Sequence, residues 1–127
     1  MTIGSRSVGD IHVVDVTDFA APREVAFYTV PNAGTHNFSM DEASGILYAA
    51  YYNGGVRAID VRGDLGTCAV AERAPDGRCD LGRMGRELAT GLTSGPAVSI
   101  WSVQFTGDAA YASDMLNGLW KLAPVVP

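Results

Sequence analysis

The sequence predicts an all-β fold built from repeated antiparallel sheets, and three observations support this prediction. Runs of five to seven β-branched and aromatic residues alternate with turns rich in Gly, Asn, Asp and Pro, a pattern typical of strands. The chain also matches itself at offsets of 45 and 63 residues. One run, residues 47–52, is apolar or aromatic at every position, as expected for a strand buried on both faces.

The apolar runs predict nine strands. In chain order these are residues 11–16, 24–30, 37–41, 46–52, 56–61, 86–92, 100–105, 109–114 and 118–122. Residues 80–92 also carry apolar residues at helical spacing, but three glycines interrupt the segment. Because each glycine disfavours a helix by about 1 kcal/mol relative to alanine, a strand is preferred there.

Two internal matches define a repeat. At the offset of 45, residues 10–16 lie over residues 55–61, with one Asp and several apolar positions in common. At the offset of 63, Arg-Glu-Val-Ala at 23–26 lies over Arg-Glu-Leu-Ala at 86–89, and further identities follow without a gap. The two matches together indicate successive copies of one structural unit.

A single insertion explains both offsets. They differ by 18 residues, as do the lengths of segments 17–22 and 62–85, which join equivalent strands in successive copies. The underlying period is therefore near 45 residues with four strands, which is typical of β-propeller blades. The sequence thus predicts antiparallel four-stranded blades of a β-propeller.

The chain length limits how many blades can form. A closed propeller takes about 4 to 8 blades, which exceeds what 127 residues supply at this period. We predict about two blades, incomplete and not closed. Residues 1–30 are the end of one blade, residues 31–93 a full blade with an insertion at 62–85, and residues 94–127 a partial last blade.

The same arithmetic predicts a C-terminal piece of a longer protein. A two-blade piece leaves apolar faces and strand edges uncovered. The remaining blades of the parent chain, or self-association, are expected to cover them.

The strand motif resembles a known family. Residues 11–16, followed by Thr17-Asp18 and then Pro22, together with residues 56–61, resemble the LVIVD-repeat family. In that family an apolar strand ends in Asp-Val before a Ser/Thr-Asp-Pro-like loop. The third copy, residues 119–122, departs from the pattern because Ala-Pro follows it. The resemblance implies a β-propeller-like fold in bacterial proteins that are often exported and mostly of unassigned activity.

Composition and charge exclude several classes of partner. Hydrophobic residues make up 47% of the chain, and 14 acidic residues against 9 basic ones give a net charge of −5. Such a charge disfavours nucleic acid, which is bound mainly through Lys and Arg. The chain contains no run of about 18 apolar residues, so a membrane span is not predicted. Residues 1–9 carry no signal-peptide pattern.

Alternate turns of an antiparallel meander lie at the same end of its sheet, which predicts a candidate ligand-binding surface. The loops gathered there are aromatic and rich in amides. Their candidate residues are His36, Asn37, Tyr52, Asn53, Trp101, Asp114 and Asn117. Loop ends on a rigid scaffold are common binding sites, so an unidentified small molecule or protein is the expected partner. The alternative is that these residues only form turns, with His36 bonding a loop carbonyl.

No catalytic or metal motif accompanies that surface, and no cofactor is predicted. The repeat places Ser99 or Trp101 at the position of His36, so a ring of histidine ligands is not expected. His12 is predicted to be a solvated strand residue, and Asp41-Glu42 a solvated turn. A non-catalytic binding or scaffold module is therefore favoured. The alternative is a fragment of a propeller enzyme whose channel-face site includes His36.

Cys68 and Cys79 are predicted to form a disulfide. They flank a Pro-Asp-Gly turn in the inserted loop, which folds one toward the other. Two cysteines without a nearby His cannot supply the usual four zinc ligands. Two free thiols in a reducing compartment are the alternative. The cysteine pair and the family resemblance favour a periplasmic or secreted location, which the chain itself does not specify.

Overall fold

The computed structural model describes residues 8–125, which form three open sheets and one short 3-10 turn at Val70–Glu72. The ten strands of this range are β1 (Ile11–Asp15), β2 (Arg23–Tyr28), β3 (Phe38–Asp41), β4 (Ile46–Ala50), β5 (Val56–Asp60), β6 (Cys79–Asp80), β7 (Glu87–Gly91), β8 (Ile100–Phe105), β9 (Ala110–Asp114) and β10 (Gly118–Leu122). The predicted all-β class is confirmed, and each of the nine predicted strands forms within two residues of its expected bounds.

The strands assemble mostly by antiparallel pairing of chain neighbours. The first sheet has the order β1-β2-β6, the second β3-β4-β5-β7 and the third β8-β9-β10. The second sheet is a four-stranded meander interrupted only by the insertion that precedes β7. None of the three sheets closes on itself.

One pairing differs from the expected antiparallel pattern. β6 was not predicted, and its two residues pair parallel to β2, with Cys79 opposite Ala26. The disulfide between Cys68 and Cys79 holds the insertion against this edge, and the Leu81 amide donates to the Phe27 carbonyl at 2.9 Å. The insertion therefore supplies the strand that covers the first sheet's outer edge.

The second sheet is buried on both faces, as the apolar sequence of β4 predicts. Ile46, Tyr48 and Ala50 belong to a core shared with the third sheet. Ala49 and Tyr51 belong to a separate core shared with the first sheet. Successive residues of one strand thus anchor the two neighbouring sheets, because side chains alternate between the faces.

The internal repeat extends to a backbone irregularity. The β1–β2 register skips Val25, and the β5–β7 register skips Leu88, so each is the extra residue of a β-bulge. Residues 25 and 88 are equivalent at the offset of 63. The sequence repeat therefore reflects a shared strand geometry and not composition alone.

The Asp of the repeat has a structural role in both copies. Asp15 accepts a hydrogen bond from the Thr17 amide at 2.9 Å and pairs with Arg23 at 3.5 Å. Asp60 accepts one from the Arg62 amide at 3.0 Å and lies 3.7 Å from Arg86. Each carboxylate therefore closes the turn after its strand and contacts an arginine at, or immediately before, the first residue of the next strand in the sheet.

The charge of Asp60 is stabilised by these contacts. The side-chain hydrogen bond from Arg62 is the largest cause that lowers its pKa, to about 2, with backbone and charge contributions from Arg62 and Arg86. The pKa of Asp15 is also lowered, chiefly by the Thr17 hydroxyl. Both carboxylates thus complete turns between strands.

Candidate functional site

The candidate site lies where the second and third sheets meet edge to edge. Tyr52 and Ile100 exchange two backbone hydrogen bonds, of 3.0 and 2.9 Å, and the Asn37 amide donates to the Trp101 carbonyl at 3.3 Å. The His36 amide donates to the Ala50 carbonyl at 2.9 Å. These bonds fix the loop before β3, the turn after β4 and the start of β8 against one another.

Three rings gather at this seam. The His36 ring lies 5.5 Å from the Tyr52 ring and 5.0 Å from the Trp101 ring, measured between centroids. The side chains of His36 and Trp101 are exposed, with 46% of Trp101 accessible to solvent, and Tyr52 is half-buried. We call His36, Tyr52 and Trp101 the ring cluster.

Backbone irregularities position two of the three rings. Tyr52 has a φ of 39°, in the left-handed region that bulky residues rarely adopt. The backbone pairing with Ile100 and the adjoining turn keep Tyr52 in this conformation. Trp101 is the extra residue of a β-bulge, because Ile100 faces Asp114 and Ser102 faces Ser113. Bulges redirect side chains and often occur beside functional sites.

A shallow depression of about 480 Å³ adjoins the ring cluster. Its lining comprises Asn37, Trp101, Ser102, Ser113, Asp114, Met115 and Gly118. The surface therefore combines an indole ring, a thioether, an amide and two hydroxyl groups. Sequence reasoning missed the two serines, because only the register of β8 against β9 places them beside Trp101.

Asp114 borders the depression, but its carboxylate is buried and hydrogen-bonded within the protein. Its carboxylate accepts hydrogen bonds from the Ser99 amide (2.9 Å), the Leu116 amide (3.0 Å), the Asn117 side chain (2.7 Å) and the Trp120 indole (2.9 Å). Burial alone would raise its pKa, but the hydrogen bonds, that of Asn117 foremost, lower the pKa to about 2. The side chain organises the turn after β9.

The two remaining predicted residues support neighbouring loops. The Asn117 side chain also donates to the Ala97 carbonyl at 2.9 Å, which joins the turn after β9 to the segment before β8. The Asn53 side chain donates to the Asn32 carbonyl at 3.0 Å, and Asn53 itself is exposed beside Tyr52. The structure thus brings together His36, Tyr52 and Trp101, with Asn37 and Asp114 at the adjoining depression.

The other candidate groups lie outside this site. His12 is exposed on β1 and contacts Glu24 at 2.6 Å. Asp41 accepts hydrogen bonds within its own turn, from the Ala43 amide at 3.2 Å. Among residues 8–125, no group of three His, Cys, Asp or Glu side chains is arranged to hold a metal ion.

The predicted disulfide is confirmed. Cys68 and Cys79 are bonded, with Cα atoms 6.0 Å apart, and Cys79 is fully buried in the core between the first and second sheets. The ring cluster lies instead at the junction of the second and third sheets. The disulfide therefore stabilises the insertion and does not belong to the candidate site.

Replacement of His36 by alanine is expected to lower the free energy of unfolding by about 1 kcal/mol or less. The ring is exposed and loses only its contacts with Tyr52 and Trp101, while its backbone hydrogen bond remains. Urea unfolding followed by circular dichroism measures the change. The control is Tyr51→Ala in the core, expected to cost at least about 3 kcal/mol. Comparable losses in both variants would make His36 a residue of the fold.

Comparison with protein-family models, curated proteins and solved structures finds no match. Within the described part of the chain, no helix has the length and apolar character needed to cross a membrane.

Proposed function

We propose that this chain is a non-catalytic binding module whose sheets are blades of an LVIVD-like β-propeller, with its ligand site at the ring cluster and the adjoining depression. The observation that carries the proposal is the ring cluster itself, held at an exposed seam by two backbone irregularities. A strained tyrosine that is only half-buried and a bulged tryptophan that is exposed contribute little to a core. Their placement has a purpose if the rings contact a ligand.

The architecture supports the propeller part of the proposal. The middle sheet is covered by a neighbouring sheet on each face, and equivalent bulges and Asp–Arg contacts recur from one sheet to the next. Blades of a propeller repeat in this way around an axis. On this reading the ring cluster lies at a junction between blades, where loops from two blades contribute to one surface.

The chemistry of the surface favours a largely neutral ligand with a flat apolar face. Rings present large contact areas that lose little conformational freedom on binding. Asn37, Ser102 and Ser113 add uncharged groups that donate and accept hydrogen bonds. The one carboxylate at the depression, Asp114, already accepts four hydrogen bonds and is not offered as a charge partner.

The titratable groups favour binding over acid–base chemistry. A general acid or base works best with a pKa near the operating pH. Several carboxylates have a lowered pKa. For Asp60, Asp64, Asp76 and Asp114 the lowering is explained by hydrogen bonds that hold turns or join neighbouring strands. The enzyme alternative retains one observation, the strained Tyr52 beside His36, because such strain recurs at catalytic sites.

The disulfide adds a location to the proposal. Disulfides persist in oxidising compartments and are rare in the cytosol. We therefore propose a location outside the cytoplasm, in the periplasm or secreted, in keeping with the family resemblance.

Protein-detected NMR of the ¹⁵N-labelled chain, titrated with a panel of neutral sugars and free aromatic amino acids, tests the site. We expect a bound panel member to shift the indole N–H resonance of Trp101 and to leave that of Trp120, which is held by Asp114, nearly unchanged. Trp101→Ala is expected to weaken binding about tenfold or more, since a stacked ring is commonly worth more than 1 kcal/mol.

A matched control is Val70→Ala, an exposed residue on the inserted loop, which should bind as the unmodified chain does. Binding that survives Trp101→Ala, or a panel without any member that shifts this resonance, contradicts the proposed surface. Chemical turnover of a bound member that is lost in His36→Ala would favour the enzyme alternative.

A further inference from the structure

The polar atoms of the ring cluster are not used by the fold. The indole N–H of Trp101, the hydroxyl of Tyr52 and the ring nitrogens of His36 have no hydrogen-bond partner within residues 8–125. The side-chain amide of Asn37, which is exposed beside Trp101, has none in that range either. This small surface therefore offers a ligand several hydrogen-bonding groups together with the ring faces.

Each of these ring types has a hydrogen-bonded representative elsewhere in the chain. The Trp120 indole donates to Asp114 at 2.9 Å, and the His12 ring contacts Glu24 at 2.6 Å. The Tyr51 hydroxyl donates to a backbone carbonyl at 3.1 Å. The unused polar atoms are thus a property of the ring cluster and not of its residue types.

The rings are spaced for a single small ring of the ligand. The His36 centroid lies 5.0 Å from that of Trp101 and 5.5 Å from that of Tyr52, which is comparable with the width of one pyranose ring. Backbone hydrogen bonds between the second and third sheets hold the three segments in place. The polar atoms are therefore arranged before the ligand arrives, which reduces the entropy lost on binding.

Charge and hydrogen bonding narrow the class of ligand. Asp114 is the only acidic or basic residue that lines the adjoining depression, and its carboxylate is already hydrogen-bonded. A charged ligand would lose hydration there without gaining an ion pair. A purely aromatic ligand would cover the polar atoms of the rings and leave them without partners. A neutral sugar avoids both costs, because it combines an apolar C–H face with a rim of hydroxyl groups.

We propose that the ring cluster binds one pyranose unit of a neutral carbohydrate, which stacks its C–H face on Trp101 and bonds its hydroxyl groups to Tyr52, His36 and Asn37. This inference rests on the proposed function, because it names the ligand class of the same site. It requires none of the residues that lie only in the depression.

Titration of the ¹⁵N-labelled chain with methyl β-D-glucopyranoside, sorbitol and indole tests the ligand class. The glucoside should shift the Trp101 indole N–H resonance saturably, with a Kd in the millimolar range. Sorbitol carries the hydroxyl groups without a rigid face and should bind at least about tenfold more weakly. Saturation transferred from the protein should reach the hydrogens of one face of the glucoside more than those of the other. Equal binding of sorbitol, or equal saturation of both faces, overturns the assignment.

Removal of single polar groups tests the hydrogen bonds. Tyr52→Phe keeps the ring but loses the hydroxyl, so it should weaken glucoside binding about fivefold and leave any binding of indole unchanged. His36→Phe removes the ring nitrogens in the same way and replaces this variant if Tyr52→Phe does not fold. Tyr111→Phe on β9, outside the ring cluster, is the matched control and should change neither. Unaltered glucoside binding in both cluster variants contradicts the assignment.

The probes also separate this inference from the proposed function. A saturable shift of the Trp101 resonance with indole but not with the glucoside would support a binding surface at the ring cluster and overturn the carbohydrate assignment. No shift with either probe, or with the wider panel of sugars and aromatic amino acids, would overturn both.

Discussion

Replacement of Asp114 by alanine is expected to lower the free energy of unfolding by about 3 kcal/mol. The carboxylate is only 5% exposed and accepts four hydrogen bonds, from two backbone amides and two side chains. Its removal leaves these donors without a partner in the interior, and each buried donor so abandoned costs about 1–3 kcal/mol unless water reaches it. Urea unfolding at pH 7, followed by circular dichroism, measures the loss.

The same residue predicts a pH dependence. Its folded pKa, about 2, lies below the ordinary value of 3.8, so the folded state binds the proton less readily than the unfolded state. The stabilisation is therefore fully present above about pH 4 and is lost as the pH falls toward 2. The difference in stability between the unmodified chain and Asp114→Ala should shrink over that window.

Asp108→Ala is the matched control. Asp108 lies in the exposed turn between β8 and β9, where it accepts one hydrogen bond from the Thr106 hydroxyl at 3.0 Å. This change should cost no more than about 0.5 kcal/mol. Equal losses for the two variants, or a difference independent of pH between 4 and 2, would show that the hydrogen bonds of Asp114 do not stabilise the fold as described.

Strand positions and the repeat could be predicted because they depend on local patterns. Alternating or continuous apolar runs mark strands, and glycine with Asn or Asp marks the turns between them. The two-sided burial of β4 was visible in residues 47–52, since polar residues are missing from both faces. The disulfide could be predicted for the same reason, because a short turn separates its two cysteines.

The role of Asp114 could not be read from the sequence. Its position at the end of a strand placed it on the candidate surface, and the structure does place it beside Trp101. Its burial, however, depends on contacts from Ser99 and Trp120, which the registers of three strands bring to one point. A local pattern predicts where a loop lies but not which of its side chains turns inward.

The ring cluster illustrates the same limit at the site. Its members were predicted individually, from loops expected at one end of the sheets. Their mutual contact arises from the pairing of Tyr52 with Ile100 and from the bulge at Trp101. Neither feature has a sequence signal, because both are set by how one sheet docks against the next. β6 escaped prediction for a related reason, since two residues are too short a run to show a pattern.

Loss of the disulfide is expected to destabilise the chain by up to about 3 kcal/mol. The bond closes a short loop and thereby restricts the unfolded chain. It also holds Cys79 in the core and β6 against β2. For a chain of this size the change corresponds to a melting temperature lower by roughly 10 °C. Thermal unfolding of the Cys68→Ala/Cys79→Ala double variant, compared with the unmodified chain with and without reductant, measures it.

Loss of the disulfide is expected to loosen one part of the structure more than the rest. Hydrogen exchange should accelerate first in the insertion and at the outer edge of β2, where the Leu81 amide donates to Phe27, and should change least at the ring cluster. Reductant should leave the double variant unaffected. If the double variant and the unmodified chain have the same melting temperature, other contacts are sufficient to hold the insertion. These contacts include the hydrogen bonds of Arg73 to the Gly77 and Cys68 carbonyls and the stacking of Arg78 on Phe27. The Arg73 hydrogen bonds lie within the insertion, as the disulfide does, and the Arg78 contact joins the insertion to β2, so the double variant measures what the covalent bond adds to both.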